Sequence, residues 1–568
     1  MKKLIVLSLA GLLILALGAT AYAQKLEFRA SGFIDSQVGV VYNVPQYYAF
    51  AGSYNQVNGN YSLAPFNDLA ILGLGPYGTK YEAAFLGLPP PAGLNKMTTN
   101  WESRAHLKFD AVMGPSLSGT IYFEIDSVRW GNAYGNRSSN DILNTPWSPG
   151  VAGREANNFG GWTTDRTAVE VKNIYFDVGL PYFGVPWPVT VRIGAQPIGV
   201  RPAMFLYSDG TGITAGIKAD PVLINPIFAK AVASPDFTNS DTTIYGLQAN
   251  AKISTVTVGG YGLYYQMNTY PLFAPSYSLL TVFPYTSPQL FYSLPVVAGT
   301  QRANMWWLGA YAEGKAGPVD FNFDFVYDLG QEMSELSVVP HVNYQGFATR
   351  LNVEYPWEKF KFGVTGMYAS GDNARHTSSN GFAGDSTSVG TISKHVSGYQ
   401  NPVGGEQPPI NSESVVVYGM EAGATGGYGI AEQNNYGWMN RGGFGGTWFA
   451  KLYAQQKITP WFKLTAQALY IGDTTIHGDT LGDPLKPNGQ LRSDQTIGVE
   501  LDIMSDIQLY KNLRLWLGYG YLFAGKALDI NPGGINIGTP TAPVIIYPFR
   551  NTTPDNPWAF RTRLIYTF

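Results

Sequence analysis

From Lys25 to Tyr42 the chain alternates with a period of two. The even positions read Leu26, Phe28, Ala30, Gly32, Ile34, Ser36, Val38, Val40 and Tyr42, and every charge (Lys25, Glu27, Arg29, Asp35) falls on an odd one. A strand sends successive side chains to opposite faces, whereas a helix with 3.6 residues per turn would scatter these charges around its circumference. The chain closes in the same way: Trp558, Phe560, Thr562, Leu564, Tyr566 and Phe568 alternate with Ala559, Arg561, Arg563, Ile565 and Thr567. An exposed edge strand ending on a bare aromatic invites aggregation, and a strand that closes a cylinder leaves no edge. The terminal pattern therefore predicts closure.

Between these ends the pattern recurs about eighteen times in all, within a range of about sixteen to twenty. The phase slips in Val169–Val178, where Val169 and Val171 lead but Ile174, Phe176 and Val178 follow, which predicts a bulge near Asn173. Some connections are tight, such as Met113-Gly114-Pro115-Ser116 and Lys315-Ala316-Gly317-Pro318. Others are long, such as 131–167, 269–303, 372–444 and 524–556. Long and short alternate, so the long ones gather at one end. That predicts an all-β fold: a transmembrane antiparallel β-barrel with short periplasmic turns and long extracellular loops. A soluble sandwich has no reason to sort its loops in this way.

Composition supports a cylinder with an apolar outside and a wet inside. Tyr (37), Phe (30) and Trp (13) are abundant, charged residues are only 14%, and Cys is absent. The mean hydropathy of −0.06 is what half-apolar strands average to. Aromatics such as Phe360, Phe362, Tyr368, Tyr519, Tyr521 and Phe523 stand near strand ends, where interfacial girdles sit. Lys2 and Lys3, the apolar run Leu4–Leu17 and Ala21-Tyr22-Ala23 read as a signal peptide over residues 1–23. The barrel is then expected over 24–568, with 372–444 as a long extracellular loop, an outer cap or cover. A net charge of −3 and pI of about 6.0 point away from nucleic acid.

The signal peptide, the alternating strands and the ending Tyr566-Thr567-Phe568 together resemble the Gram-negative outer-membrane porins. Gly363–Asp372, and Thr496–Asp502 followed by Leu513–Phe523, are similar to porin strand pairs. The resemblance implies the cell outer membrane as location and outer-membrane lipid as surroundings. It also implies that the barrel assembly machinery reads Tyr566 and Phe568, that homotrimers can form, and that small hydrophilic solutes and ions pass by passive diffusion. In general porins the third outer loop folds inward. Here that loop is expected at roughly 197–211, making Arg201 and Asp209 candidates for the constriction, with 131–167 as an alternative plug.

Inward charges complete the expectation. Arg29, Arg104, Lys108, Arg514, Arg561 and Arg563 fall on strands around the closing seam. Glu313, Asp320, Asp324, Asp328 and Glu354 fall halfway round. Strand rise places Arg29, Arg104, Arg561 and Asp324 near mid-depth. A basic wall facing an acidic one would set a transverse field that orients polar solutes. The alternative is that these charges solvate the lumen and pair with their neighbours.

Other chemistries find little support. Of five histidines only His106 falls in a strand; His341, His376, His395 and His477 lie in loops without a nucleophile constellation. Asp372, Asn373 and Asp385 suit turns better than a cation site. No dinucleotide, phosphate or zinc motif appears, so neither enzymatic activity nor a cofactor is expected. Two further readings are a substrate-specific channel for sugars, peptides or organic acids, and a structural or adhesive barrel.

Overall fold

The computed structural model describes residues 26–42, 97–129, 169–180, 187–202, 204–232, 241–270, 301–334, 342–371, 395–402, 413–419, 444–476, 493–528 and 556–568, with the short pairs 56–57, 60–61, 439–440, 535–536 and 545–546. The signal peptide and the candidate plug 131–167 lie outside the described residues, as do His341, His376, His477, Asp372, Asn373 and Asp385.

Eighteen long strands run in chain order: β1 Leu26–Tyr42, β2 Met97–Met113, β3 Leu117–Arg129, β4 Val169–Leu180, β5 Val189–Val200, β6 Leu206–Ala219, β7 Val222–Val232, β8 Thr242–Ile253, β9 Val256–Tyr270, β10 Gln301–Ala316, β11 Val319–Ser334, β12 Val342–Trp357, β13 Phe360–Ala369, β14 Thr447–Thr459, β15 Phe462–Asp473, β16 Thr496–Tyr510, β17 Leu513–Ala524 and β18 Trp558–Thr567. Each pairs antiparallel with the next, and β18 pairs with β1 from Phe33↔Thr567 to Tyr42↔Trp558. The sheet is a closed barrel. No helix among the described residues is long and apolar enough to cross a membrane.

The seam is tied at the last residue. The Gly32 N–H donates to the Phe568 carbonyl and the Phe568 N–H to the Gly32 carbonyl, both at 3.0 Å. A Cβ at Gly32 would lie 2.2 Å from the His106 carbonyl oxygen and 2.9 Å from the Phe568 ring, so only glycine fits.

At one end six hairpins close across two residues each, among them Ser254-Thr255, Gly317-Pro318 and Glu358-Lys359. Ser254, Gly317 and Glu358 have φ of 57°, 62° and 52°, the left-handed geometry that follows the twist of paired strands. The expected bulge is present: Tyr122 pairs with Asn173 but Phe123 pairs with Val171, leaving Lys172 as the extra residue.

The exterior is apolar along its middle. Leu247, Leu308, Leu351, Val364, Leu452 and Leu501 are all exposed. Aromatics ring both ends: Trp357, Phe362, Trp461, Tyr510 and Tyr566 toward the short turns, and Trp101, Tyr245, Trp306, Tyr368, Tyr470 and Phe523 toward the long connections. Such bands match the two interfaces of a bilayer.

Leu452 stands on the exterior of β14, and Gln455 faces the interior of the same strand. Leu452→Arg is expected to destabilise the barrel by roughly 2–4 kcal/mol, the cost of a cation at the bilayer midplane. Gln455→Arg is expected to cost far less. Denaturant unfolding in lipid vesicles measures both, and equal effects would place the outer face in water.

Candidate functional site: the barrel lumen

The interior is not an open tube. Its first obstruction is the β5–β6 connection. β5 runs on to Val200 and β6 starts at Leu206, so the expected loop of 197–211 shrinks to residues 201–205. Arg201 has φ of 46°, and its carbonyl accepts the N–H groups of Met204 (2.9 Å) and Phe205 (2.8 Å). That turn is tight, and it sends Met204 and Phe205 inward, where both are buried. Phe205 stacks on Tyr261 of β9, ring centroids 5.0 Å apart.

The Arg201 side chain then crosses to β10 and β11. Its Nε donates to Asp324 Oδ1 at 2.6 Å, and one terminal nitrogen to Asp324 Oδ2 at 3.0 Å. The other terminal nitrogen donates to Glu313 Oε2 at 2.8 Å. Its guanidinium carbon lies 4.1 Å from the Tyr311 ring centroid. A planar fork is what satisfies two carboxylates and one aromatic face together, which lysine cannot do. Gly309 leaves room for this: a Cβ there would lie 2.0 Å from the Tyr261 ring.

The second obstruction comes from the connection between β13 and β14, which was expected to cap the barrel from outside. Two of its described stretches, 397–402 and 413–419, pack inside. The Trp307 Nε1–H donates to the Gln400 carbonyl at 2.8 Å, and the Gln400 N–H to Asp328 Oδ1 at 3.2 Å. A Cβ at Gly346 would lie 2.6 Å from the Tyr399 Cα, so that glycine admits the segment. Further along, Glu413 accepts from Arg350 of β12 (2.9 Å) and pairs with Lys451 of β14. Val415, Val416 and Val417 are fully buried beside β16 and β17. On the short-turn side of this segment a cavity of about 210 Å³ is lined by residues including Lys451, Tyr453, Gln467, Met504, Arg514 and Trp516.

The charges expected to form the two walls are largely paired with near neighbours. Arg563 donates twice to Asp35 (2.9 and 2.6 Å) across the seam. Arg104 lies 3.6 Å from Glu124, which also pairs with Lys172 at 2.9 Å. Lys108 pairs with Asp110 and Arg514 with Asp506. Arg561 is buried, and the residues opposite it on both neighbouring strands are glycines, Gly39 and Gly518. Opposite, Asp320 meets Lys315, Glu354 meets Lys361, and Asp324 and Glu313 meet Arg201. Asp328 lies beneath Gln400, fully buried.

Two expected placements need correction. Arg29 is not at mid-depth: it lies three residues from the short-turn end of β1, more than half exposed, paired with Glu27. Near the start of a strand that runs 17 residues, Arg29 stays close to the short turns rather than at the middle of the wall. Asp209 is not in a loop: it sits on β6 and accepts from Asn173 (2.8 Å) and Lys172 (3.0 Å) of the bulged strand.

Glu413, Arg350, Lys451, Lys172, Glu500 and Asp502 are functional candidates that sequence reasoning passed over. A signal was present. In Met305-Trp306-Trp307-Leu308 the alternation disappears, and in β9 Tyr261, Leu263, Tyr265 and Met267 fill the inward row. Strands apolar on both faces are buried on both faces, which predicts something packed inside.

No family model matches this chain, and no curated protein does either. Solved structures that it resembles include Pseudomonas aeruginosa OccK8 (OprE), with 9% identity, 95% of this chain and 98% of that one covered, and a TM-score of 0.44. Pseudomonas aeruginosa OpdQ is 8% identical over 95% and 98%, with a TM-score of 0.44. Acinetobacter baumannii OccAB4 is 8% identical over 97% and 100%, with a TM-score of 0.41. The barrel itself is established by the strand pairing of this chain.

Arg201→Met leaves the nearly buried Asp324 without its cation. Removing one partner of such a pair is expected to destabilise by roughly 3–5 kcal/mol, and replacing both (Arg201→Met with Asp324→Asn) by much less. Denaturant unfolding in vesicles distinguishes the two. Equal losses would mean that the contact serves only packing.

Proposed function

We propose that the protein is an outer-membrane channel through which small hydrophilic solutes and ions diffuse passively. The observation that carries this reading is a closed barrel, apolar outside and charged inside, in which Lys108, Asp110, Arg192, Asp177, Arg514 and Asp506 remain partly exposed. An interior of this kind holds water, and a water column across a bilayer is a path for polar solutes. In this reading the short turns face the periplasm and the long loops the exterior. Residues 1–23 direct export, Tyr566 and Phe568 serve as the assembly signal, and the barrel stands alone or as a homotrimer in outer-membrane lipid.

A substrate-selective channel is the second reading. It is favoured by the Arg201 crossing and by the 413–419 segment, which replace part of the water column with fixed protein groups. Pairing of the wall charges argues for weak ion selectivity in either case, because closely spaced opposite charges cancel at a distance.

Liposome swelling with a graded set of sugars, peptides and organic acids tests both readings. A general pore is expected to pass solutes at rates that fall smoothly with size; a selective one passes one class faster than others of equal size. In planar bilayers under a salt gradient the reversal potential is expected to stay near zero and to move little after Arg104→Ala or Arg561→Ala. A shift of tens of millivolts would restore the transverse field. Absence of both swelling and conductance would leave the structural or adhesive barrel.

A further inference from the structure

The 413–419 segment is docked by two opposite chemistries. Its acidic residue, Glu413, goes to the cations Arg350 and Lys451. Its next four residues do the reverse and present donors to acids on β16. The Ser414 hydroxyl donates to Glu500 Oε2 at 2.8 Å, the Val416 N–H to Glu500 Oε1 at 2.5 Å, and the Val417 N–H to Glu500 Oε2 at 3.0 Å. The Val415 N–H donates to Asp502 Oδ2 at 3.3 Å, an oxygen that also accepts from Gln467 at 2.7 Å. Gln467 in turn donates to the Glu413 carbonyl at 2.8 Å. Glu500 is fully buried in this arrangement, and Asp502 nearly so.

Successive backbone N–H groups converging on one anion form a receptor of the kind proteins use for carboxylates and phosphates. Here the anion belongs to the barrel wall. We propose that Ser414–Val417 is a carboxylate receptor closed around Glu500, and that Glu500, with Asp502 beside it, is the positioning residue that fixes the luminal constriction. Valine side chains have no reason to lie in a hydrated lumen for their own sake. What brings them there is the backbone, whose N–H groups need acceptors once out of water, and the two carboxylates supply them. Gly520 permits the approach, since a Cβ there would lie 2.8 Å from the Val415 Cβ and 2.4 Å from Asp502 Oδ1.

The effect on conductance rests on the channel reading; the docking itself does not. The chain has no cysteine, so Val416→Cys in the full-length barrel in lipid vesicles provides a single reporter for a membrane-impermeant maleimide. In the otherwise native chain this thiol is expected to react slowly. In Glu500→Ala it is expected to react roughly tenfold faster or more, since a thiol is modified only where reagent reaches it. Added acetate, which restores a carboxylate to the vacated receptor, is expected to slow it again. Chloride at the same ionic strength is not. Val417→Pro removes one donor from the segment without touching the wall, and is expected to expose the reporter in the same way. Heat-modifiable gel migration shows that each variant barrel has closed. Fast labelling in the native background overturns the proposal. So does unchanged labelling in closed barrels of both variants, or protection by chloride equal to that by acetate. Single-channel conductance is expected to rise in Glu500→Ala. A native protein that conducts nothing would defeat the channel reading, while the labelling still tests the docking of 413–419 on Glu500.

Discussion

Everything in this molecule depends on backbone hydrogen bonding in a solvent that offers none. A strand among lipid tails must find a partner on both sides, because each unpaired N–H or C=O there costs several kcal/mol. Eighteen strands meet this demand only when the last returns to the first, and the return is completed by the reciprocal Gly32 and Phe568 bonds. Closure then decides which residues face outward. The period of two gives each strand one lipid face and one inner face, and the charges follow without further instruction. The same demand is met again inside, where Val415, Val416 and Val417 give their N–H groups to Glu500 and Asp502 rather than to water.

Much of this was legible in the chain, and the reason is local. Alternation, turn chemistry and the sorting of long and short connections are short-range properties, so strand number and the two faces could be read from neighbouring residues. The bulge at Lys172 was readable for the same reason. The stretch 197–211 was misread because Pro197, Gly199, Pro202 and Gly210 suggest a loop. It is largely strand because β4 pairs β5 only as far as Ala195. Beyond that point Pro197 pairs on one side alone, with Asp209 of β6, where a missing N–H costs little.

What could not be read is where a connection goes after it leaves the sheet. Arg201 meets Asp324, and Ser414 meets Glu500, across long stretches of chain that no periodicity links. The charge map shows the difference. Counting residues by strand gives a basic and an acidic sector, yet the field they would set depends on partners only a few ångströms away. Asp35 beside Arg563 and Arg201 beside Asp324 remove much of it. A one-dimensional sum of charges by sector overstates a field when each charge has its complement on the next strand.

The barrel is also uneven in height, and that bears on how it is filled. β1 and β2 have 17 residues each and β10, β11 and β12 have 16, against 10 in β13 and in β18. At about 3.3 Å per residue, the wall of β9–β12 rises well above its neighbour β13. Its inner face there is Leu263, Tyr265, Met267, Met305, Trp307 and Tyr344, an apolar surface that water would not wet favourably. Met204, Phe205 and Tyr399 cover it. The inward segments are therefore no incidental drape of long loops. The tall strands lost their alternation at the positions where the 201–205 turn and the 397–402 segment pack, so wall and filling answer one another in the sequence. With 413–419 packed against β16 and β17 as well, the inner wall that stays partly exposed lies toward the short turns, at Lys108, Asp110, Arg514 and Asp506, while Asp35, Arg104, Glu124 and Arg561 are buried.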